Sequence, residues 1–130
     1  MQIQERLKTH SNPVDFSKEL ADCIAACLEC SQCCSVCADA CLGHDGMAQC
    51  VRTDLDCADI CSTTVRVLSR QTHIDQSAAA TLVKACRDAC QSCARDCESH
   101  RDQHQHCAEC ADSCKRCATA CDELLGRLDD

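Results

Sequence analysis

Nineteen of the 130 residues are cysteine, and most of them recur in alternating steps of four and three residues. The longest of these runs consists of Cys23, Cys27, Cys30, Cys34, Cys37 and Cys41. Helices normally place leucine at this spacing on their buried face, so the pattern predicts thiols in the interior of a helical fold. Thiolate is a soft ligand, and many thiolates around one enclosed axis indicate a store for many thiophilic metal ions rather than a catalytic site.

The same spacing recurs in three later segments. One contains Cys50, Cys57 and Cys61, with Asp54 in the place where the pattern expects another cysteine. The other two segments contain Cys86, Cys90, Cys93 and Cys97, and Cys107, Cys110, Cys114, Cys117 and Cys121. At about 100 degrees of rotation per residue, each set lies on one face of its helix, and Cys33 lies about 40 degrees outside the arc of the first set. Cys33 could therefore face a neighbouring helix.

Four long helices, preceded by a short one, can carry these cysteine faces. Glycine occurs three times and proline once, so few positions can interrupt a helix. The expected helices span about 2–10, 13–42, 47–71, 75–100 and 104–125. We expect Asn12 to cap the first long helix with Pro13 in its first turn, and Asp75 or Thr72 to cap the third. The break before the fourth, near 100–103, contains neither glycine nor proline.

Short connections make neighbouring helices antiparallel, so the four cysteine faces converge on one interior. The sequence therefore predicts an all-α, antiparallel up-down four-helix bundle with a cysteine-lined core, in one domain of residues 1–130. Residues 1–12 form an N-terminal segment and residues 13–128 the bundle. Hydrocarbon is expected to fill the end away from the sulfur, from Leu20, Ile24, Val65, Leu68, Leu82, Val83, Leu124, Leu125 and Leu128. The sulfur end is expected to open at a polar mouth with His44, Met47, His100, His104 and His106.

Charge and composition exclude several classes of partner. The formal net charge is -8, and no cluster of Lys and Arg is present that could bind nucleic acid. The N-terminal MQIQERLKTH resembles no export signal, and no segment reads as a membrane span. We therefore expect a cytoplasmic protein, in which a reducing environment keeps thiols free.

Cysteine pairs four residues apart on a helix are natural two-sulfur clips, and eight such pairs lie on the four cysteine faces. Zinc prefers four ligands per closed site, usually on turns, and iron-sulfur clusters prefer four thiolates at local spacings in loops. Cu(I) is soft and binds two or three thiolates, with which it neutralises charge one for one, so a continuous array suits it best. A zinc or cadmium sequestering protein and an iron-sulfur carrier remain alternatives, as does a bundle stabilised by disulfides or packed by cysteine alone. A thiol-disulfide oxidoreductase is a poorer fit, because it needs only one activated cysteine pair and the other cysteines would have no role.

Taken together, the motifs CIAAC, CLECSQCCSVCADAC, CADIC, CRDACQSCARDC and CAECADSCKRCATAC resemble those of the cytosolic four-helix-bundle copper storage proteins, over essentially the whole chain. The resemblance implies a non-enzymatic homotetramer of bundles that are filled with Cu(I) from one open end. It also implies a group of His, Asp and Cys near that end, which corresponds here to His100, His104, Cys50 and Asp54.

The expected metal ligands are all nineteen cysteines together with Asp54, His100 and His104. Multiple Cu(I) ions are the expected cargo, delivered by a copper chaperone or a small-thiol donor. The sequence leaves the roles of His44, Met47 and His106 open, and His10 and His73 are interpreted as solvated or capping side chains.

Overall fold

The computed structural model describes residues 2–128, which contain five helices and no strand. The helices are α1 (Ile3–Leu7), α2 (Ser17–Cys41), α3 (Ala48–Leu68), α4 (Gln76–Glu98) and α5 (Gln105–Leu125). The predicted all-α fold, with one short helix before four long ones, is confirmed.

Helices α2 to α5 form a closed ring in which α2 and α4 each pack against both α3 and α5. Neighbouring helices run antiparallel. Near the start of α2, Cys23 meets Cys121 from the end of α5, whereas Cys37 near the end of α2 meets Cys107 from the start of α5. The predicted up-down order is confirmed, and all four cysteine faces point toward one axis.

The predicted start of α2 is wrong by four residues, because the helix begins at Ser17 rather than Pro13. Asn12 does not cap it, since its backbone N–H donates to His10 Nδ1 at 2.9 Å. The N–H of Val14 donates instead to Oε1 of the buried Gln71 side chain at 3.0 Å. Residues 11–16 are thus held by a distant glutamine and make a turn rather than the first turn of a helix.

The same glutamine explains why α3 ends at Leu68, before the expected 71. Gln71 Nε2 donates to the backbone carbonyl of Leu7 at 3.0 Å, and this contact fastens α1 to the connection that follows α3. The caps of the later helices agree better with the sequence. The Asp75 side chain accepts the N–H of Ala78 at 3.0 Å and begins α4, and Gly126 ends α5.

The core has a sulfur part and a hydrocarbon part. Most of the predicted hydrocarbon end is buried, although Leu82, Val65 and Leu125 are only half-buried. The sequence did not predict that Leu7 and Phe16 would also be buried at this end. Together they give the bundle a closed, apolar base below the sulfur.

By length and composition alone, α2 is apolar enough to cross a membrane, with a mean hydropathy of 1.4 over its most apolar stretch. The sequence predicts no membrane span, since no segment approaches about 20 apolar residues. Seven of the 25 residues of α2 are cysteine, and a protonated thiol behaves as a small hydrophobe. In the bundle, α3 and α5 cover this cysteine face, as expected for a core helix.

Candidate metal centre

The cysteine faces of α2 to α5 produce a continuous column of sulfur along the bundle axis. Every cysteine lies in the described part of the chain and is free, and all but Cys33 are buried. Neighbouring Sγ atoms lie 3.6 to 4.0 Å apart, as in the pairs Cys27–Cys117 and Cys57–Cys61. A disulfide needs about 2.05 Å, so these sulfurs are in van der Waals contact and are not bonded.

Many of the sulfurs converge in groups of four whose Sγ atoms all lie within 4.8 Å of one another. Five of these groups are Cys27/Cys86/Cys117/Cys121, Cys30/Cys61/Cys90/Cys117, Cys30/Cys34/Cys57/Cys114, Cys34/Cys93/Cys110/Cys114 and Cys37/Cys41/Cys50/Cys107. Each of the first four groups shares one or two sulfurs with the next, through Cys117, Cys30, Cys34 and Cys114. The arrangement is a chain of overlapping sites rather than a set of separate ones.

Cys33 does not join the sulfur column, in agreement with its position outside the arc of the other cysteines on its helix. Its side chain is half-buried, and the acidic neighbours that act on its charge are Glu29 and Glu109 at the surface of α2 and α5. Burial raises the pKa of this thiol above its ordinary value. The structure thus places Cys33 outside the central column.

Asp54 occupies the vacant cysteine position in α3 and is fully buried among thiols. Its Oδ1 accepts from Sγ of Cys93 at 3.0 Å, Cys110 at 3.3 Å and Cys97 at 3.5 Å, and its Oδ2 lies 4.0 Å from Cys50 Sγ. Burial, followed by the hydrogen bond from Cys93, raises the pKa of this carboxyl to about 9. In the metal-free protein Asp54 is therefore a neutral acid at pH 7.

Histidine closes the sulfur end of the column. His106 Nδ1 lies 3.4 Å from Cys37 Sγ, 3.6 Å from Cys107 Sγ and 4.0 Å from Cys41 Sγ. Its Nε2 is buried and has no hydrogen-bond partner among the described residues. These distances make His106 a candidate nitrogen ligand for an ion held by the outermost four-cysteine group.

Sequence reasoning left His106 undecided, although its spacing contains the necessary signal. His106 lies four residues before Cys110, which is four residues before Cys114. It therefore continues the cysteine face by one more turn. The neighbouring Cys107 already fills that turn in the four-three pattern, which is why His106 was not singled out.

The two expected histidine ligands lie in different surroundings. His104 stacks on His44, with ring centroids 4.2 Å apart, and on His106 at 5.2 Å. Burial, and then the nearby charges of His44 and His106, lower the pKa of His104, which favours the neutral imidazole that can bind metal. His100 instead lines a small cavity between α3 and α4 that also reaches Cys50. The structure brings Cys50 and Asp54 together, adds His104 to the stack of imidazole rings, and places His100 at the cavity beside Cys50.

Without metal, two of the thiols at the mouth, Cys50 and Cys107, are held in the neutral form. Burial, and then the charge of Asp54, raises the pKa of Cys50 to about 11. Burial, and then the charge of Cys37, raises the pKa of Cys107 to about 12. Metal binding at these sites must therefore displace protons.

The family model for copper storage proteins (Csp) matches residues 16–126, which include every cysteine of the column. The chain belongs to the copper storage protein family. Among solved structures, the copper storage protein Ccsp from Streptomyces lividans, loaded with 10 copper equivalents, is 39% identical. The match covers 97% of this chain and 99% of that chain, with a TM-score of 0.94.

A second structure, of a cytosolic copper storage protein from S. lividans with five coppers, is 43% identical, covers 86% of this chain and 96% of that chain, and has a TM-score of 0.84. A double histidine-to-alanine variant of S. lividans Ccsp is 41% identical over 85% of this chain and 96% of that chain, also with a TM-score of 0.84. The comparison with curated proteins gives no match. The family assignment therefore depends on the profile and on the similarity in fold, and both cover the sulfur column.

Proposed function

We propose that this member of the copper storage protein family stores and buffers many Cu(I) ions on the thiolates of its sulfur column. The observation that carries the proposal is the overlap of the four-cysteine groups. Cys30, Cys34, Cys114 and Cys117 each belong to two of them. Thiolates can bridge Cu(I) ions, so a chain of shared sulfurs suits a multinuclear Cu(I) array. Closed tetrahedral zinc sites each need four ligands of their own.

Charge supports the same choice of ion. Asp54 is the one ionisable side chain, apart from cysteine, in the buried core of residues 2–128. Four thiolates around a divalent ion leave two uncompensated negative charges, and repeating this along a buried column would be costly. One Cu(I) per thiolate leaves none. Zinc or cadmium sequestration and iron-sulfur transport are therefore poorer fits to this core.

The proposed ligands are the buried cysteines of the column, with Asp54, His100 and His104 at the open end as the family resemblance implies, and with His106 added from its geometry. Cys33 is retained as an outer thiol. We propose that a single bundle domain, residues 13–128 with the N-terminal segment 1–12, is the storage unit. Its role is binding without catalytic turnover, because the interior is filled by side chains that serve as ligands.

Location and assembly are proposed by analogy. The S. lividans relative is described as cytosolic, and free thiols fit a reducing compartment, so we assign this chain to the cytoplasm. Copper would arrive from a chaperone or a small-thiol donor. We also propose a homotetramer, and expect its contacts to include the α2–α3 side, where Leu28 and Val36 are about half exposed, at 49% and 53%. Light scattering of the purified protein checks this expectation.

Metal analysis of protein purified anaerobically from copper-fed cells tests the proposed function. We expect copper in large excess over zinc, a colourless solution, and no reversible iron-sulfur signal. Zinc or iron as the dominant metal after growth in copper would contradict the proposal. Protein from cells grown without added copper is the control, since its thiols should remain titratable.

A further inference from the structure

The seam between α2 and α5 contains a thiol that the sulfur column does not use. Cys33 is half-buried there, and the charges that act on it most strongly are those of Cys30 and Cys37, which both belong to the column. Cys30 precedes it by three residues, and side chains three residues apart on a helix are neighbours, with Cβ atoms about 5–6 Å apart. Cys33 can therefore share an ion with the column.

An ion pair at the outer edge of the seam shows which part of α5 lies opposite Cys33. Glu29 of α2 pairs with Arg116 of α5. Cys33 follows Glu29 by four residues and Ser113 precedes Arg116 by three, so each lies one turn away on the same face of its helix. Because the two helices are antiparallel, both steps lead toward the same end of the bundle. Ser113 is therefore opposite Cys33.

The hydroxyl of Ser113 is buried without a partner. The residue is 2% exposed, and its Oγ has no hydrogen-bond partner among residues 2–128. A serine within a helix often donates to the carbonyl four residues earlier, as Ser35 does to Ser31 at 2.9 Å. A buried hydroxyl that makes no such bond costs stability, and a thiolate on Cys33 would accept its proton. Ser113 thus supplies the donor that a metal-bound Cys33 needs.

The charges of the seam fit a copper–thiolate unit better than a free thiolate. Two thiolates and one Cu(I) together carry one negative charge, and Arg116 is near enough for the charge of Cys33 to act on it. The carboxylates of Glu29 and Glu109 oppose a bare thiolate at Cys33. The same carboxylates attract a cation. Binding of Cu(I) therefore removes the repulsion that the empty site would meet on ionisation.

We propose that Cys30 and Cys33 hold a Cu(I) ion in this seam, with the Ser113 hydroxyl donating to Cys33, and that the ion exchanges with small thiols in solution. The site lies near the middle of α2, away from both ends of the bundle. Cys30 also belongs to two of the four-cysteine groups, so the seam ion is joined to the column.

The exchange is a ligand substitution. A Cu–S bond to the incoming thiolate forms, the Cu–S bond to Cys33 breaks, and the proton of the incoming thiol passes to Cys33. A second substitution of the same kind frees Cys30, and copper stays Cu(I) throughout. The inference rests on the proposed function and adds to it a lateral site for exchange.

Alkylation tests whether Cys33 binds copper. Metal-free and fully loaded proteins are treated anaerobically with iodoacetamide, and the modification of Cys33 is followed by mass spectrometry. We expect loading to slow this modification by about tenfold or more. The control is Ser35→Cys, an exposed position of α2 with no cysteine three or four residues away, whose thiol should react equally fast in both forms. Equal protection of both thiols, or of neither, overturns the seam site.

Release kinetics test the exchange. Loaded protein is mixed with increasing 2-mercaptoethanol, and a chromophoric Cu(I) chelator reports the copper released. We expect the dependence of the rate on thiol concentration to fall about threefold or more in Cys33→Ser. Cys121→Ser, which removes a column sulfur far from the seam, should keep the dependence of the parent. Equal dependence in Cys33→Ser and the parent, or an equal fall in both variants, overturns the exchange role.

Ser113→Ala separates a hydrogen bond to the bound thiolate from simple packing. In the loaded variant we expect Cys33 to be alkylated about threefold faster than in the parent, while urea unfolding of the metal-free variant shows no loss of stability. Lower stability with unchanged protection of Cys33 would show that Ser113 only packs, and would overturn its role at the site.

These tests distinguish the seam site from the proposed function. A parent protein that binds only a few copper ions would contradict storage itself. A filled column beside a Cys33 that still reacts would overturn the seam site alone. Circular dichroism establishes that each variant is folded before it is measured.

Discussion

The two ends of the bundle are equally shielded from solvent but are filled with different atoms. At one end Leu20, Leu68 and Leu124 are 0% exposed, and at the other Cys37 and Cys41 are 0% exposed. Hydrocarbon can only pack, whereas a thiol can pack in its neutral form and bind metal after losing a proton. The difference indicates that one end maintains the fold and the other end has space for cargo within the same helices.

This division explains how a protein can have so many ligands and still fold without metal. Burial keeps Cys50 and Asp54 neutral in the empty column, so neither adds a buried charge that would oppose folding. At the hydrocarbon end, α1 and Gln71 add contacts that do not involve any ligand. We therefore expect the metal-free chain to be helical, unlike a zinc finger, whose fold needs its ion.

The largest expected effect separates the two ends directly. Leu20→Ala removes a fully buried side chain from the hydrocarbon end, and should lower the free energy of unfolding of the reduced metal-free protein by about 2–5 kcal/mol. Cys30→Ala, the matched change in the sulfur column, should cost about 1 kcal/mol and reduce the copper content. Urea unfolding and copper titration of both variants measure the contrast. Equal destabilisation by the two changes would show that the ends do not differ in this way.

Asp54 should make the stability of the metal-free protein depend on pH. Burial raises its pKa from 3.8 to about 9, so the folded protein keeps a proton that the unfolded chain releases. Its contribution to stability is complete below pH 3.8 and declines as the pH rises toward 9. Asp54→Asn mimics the neutral acid and should remove this decline. We expect the metal-free variant to be more stable than the parent by about 1–3 kcal/mol at pH 8, and similar to it near pH 4.

Urea unfolding of the reduced proteins at the two pH values measures this difference. Asp56→Asn, on the exposed side of the same helix, serves as the control and should show no comparable change. A parent protein that is as stable at pH 8 as its Asp54→Asn variant would indicate an ionised and well-compensated carboxylate instead.

The affinity for copper should depend on pH, because the ligands at the sulfur end lose protons when they bind metal. Because burial raises the pKa of Cys50 to about 11 and that of Cys107 to about 12, each copper ion displaces protons as it binds. For each proton released, the apparent affinity for Cu(I) should fall about tenfold, or about 1.4 kcal/mol, when the pH is lowered by one unit. Competition with a Cu(I) chelator between pH 6 and 8 measures the slope. An affinity that is independent of pH would mean that the thiols are already ionised.

The smallest effect concerns the hydrocarbon end and leaves the ligands untouched. Asp75→Ala removes the side-chain oxygen that accepts the Ala78 N–H at the start of α4, and should cost about 1 kcal/mol of stability. Asp75→Asn keeps a capping oxygen and is the control. Thermal unfolding compares the two, and copper content should be the same in both. A loss of copper in the alanine variant would link this end to the cargo.

Much of the fold could be predicted because the cysteines themselves mark the buried face of each helix. The same periodicity predicted the antiparallel bundle and set Cys33 apart. Asp75 was found as a cap because its signal is local. Where the prediction failed, the cause was a contact distant in sequence. The side chain of Gln71 accepts a hydrogen bond from the N–H of Val14, 57 residues earlier in the chain. The expected first turn of α2 therefore does not form.

The candidate metal centre was only partly visible in the sequence. Spacing identified the ligands of the column and the special place of Asp54, because both follow a single helical face. It placed His100 and His104 at the mouth but did not give their neighbours, since both flank a connection whose path depends on packing. It also did not reveal that His106 reaches three sulfurs or that Cys50 meets a surface cavity. Those features arise from side chains that different helices bring together.

The number of copper ions bound per chain distinguishes a Cu(I) array from a set of closed four-thiolate sites. Reduced protein is titrated anaerobically with Cu(I) against a strong competing chelator, and the bound copper per chain is compared with the number of thiols. We expect a Cu(I) array to fill to roughly one ion per column thiolate, with loss of free thiol in step with the copper bound. Saturation after about four ions, with most thiols still free to react, would contradict it, because closed four-thiolate sites would then explain the core.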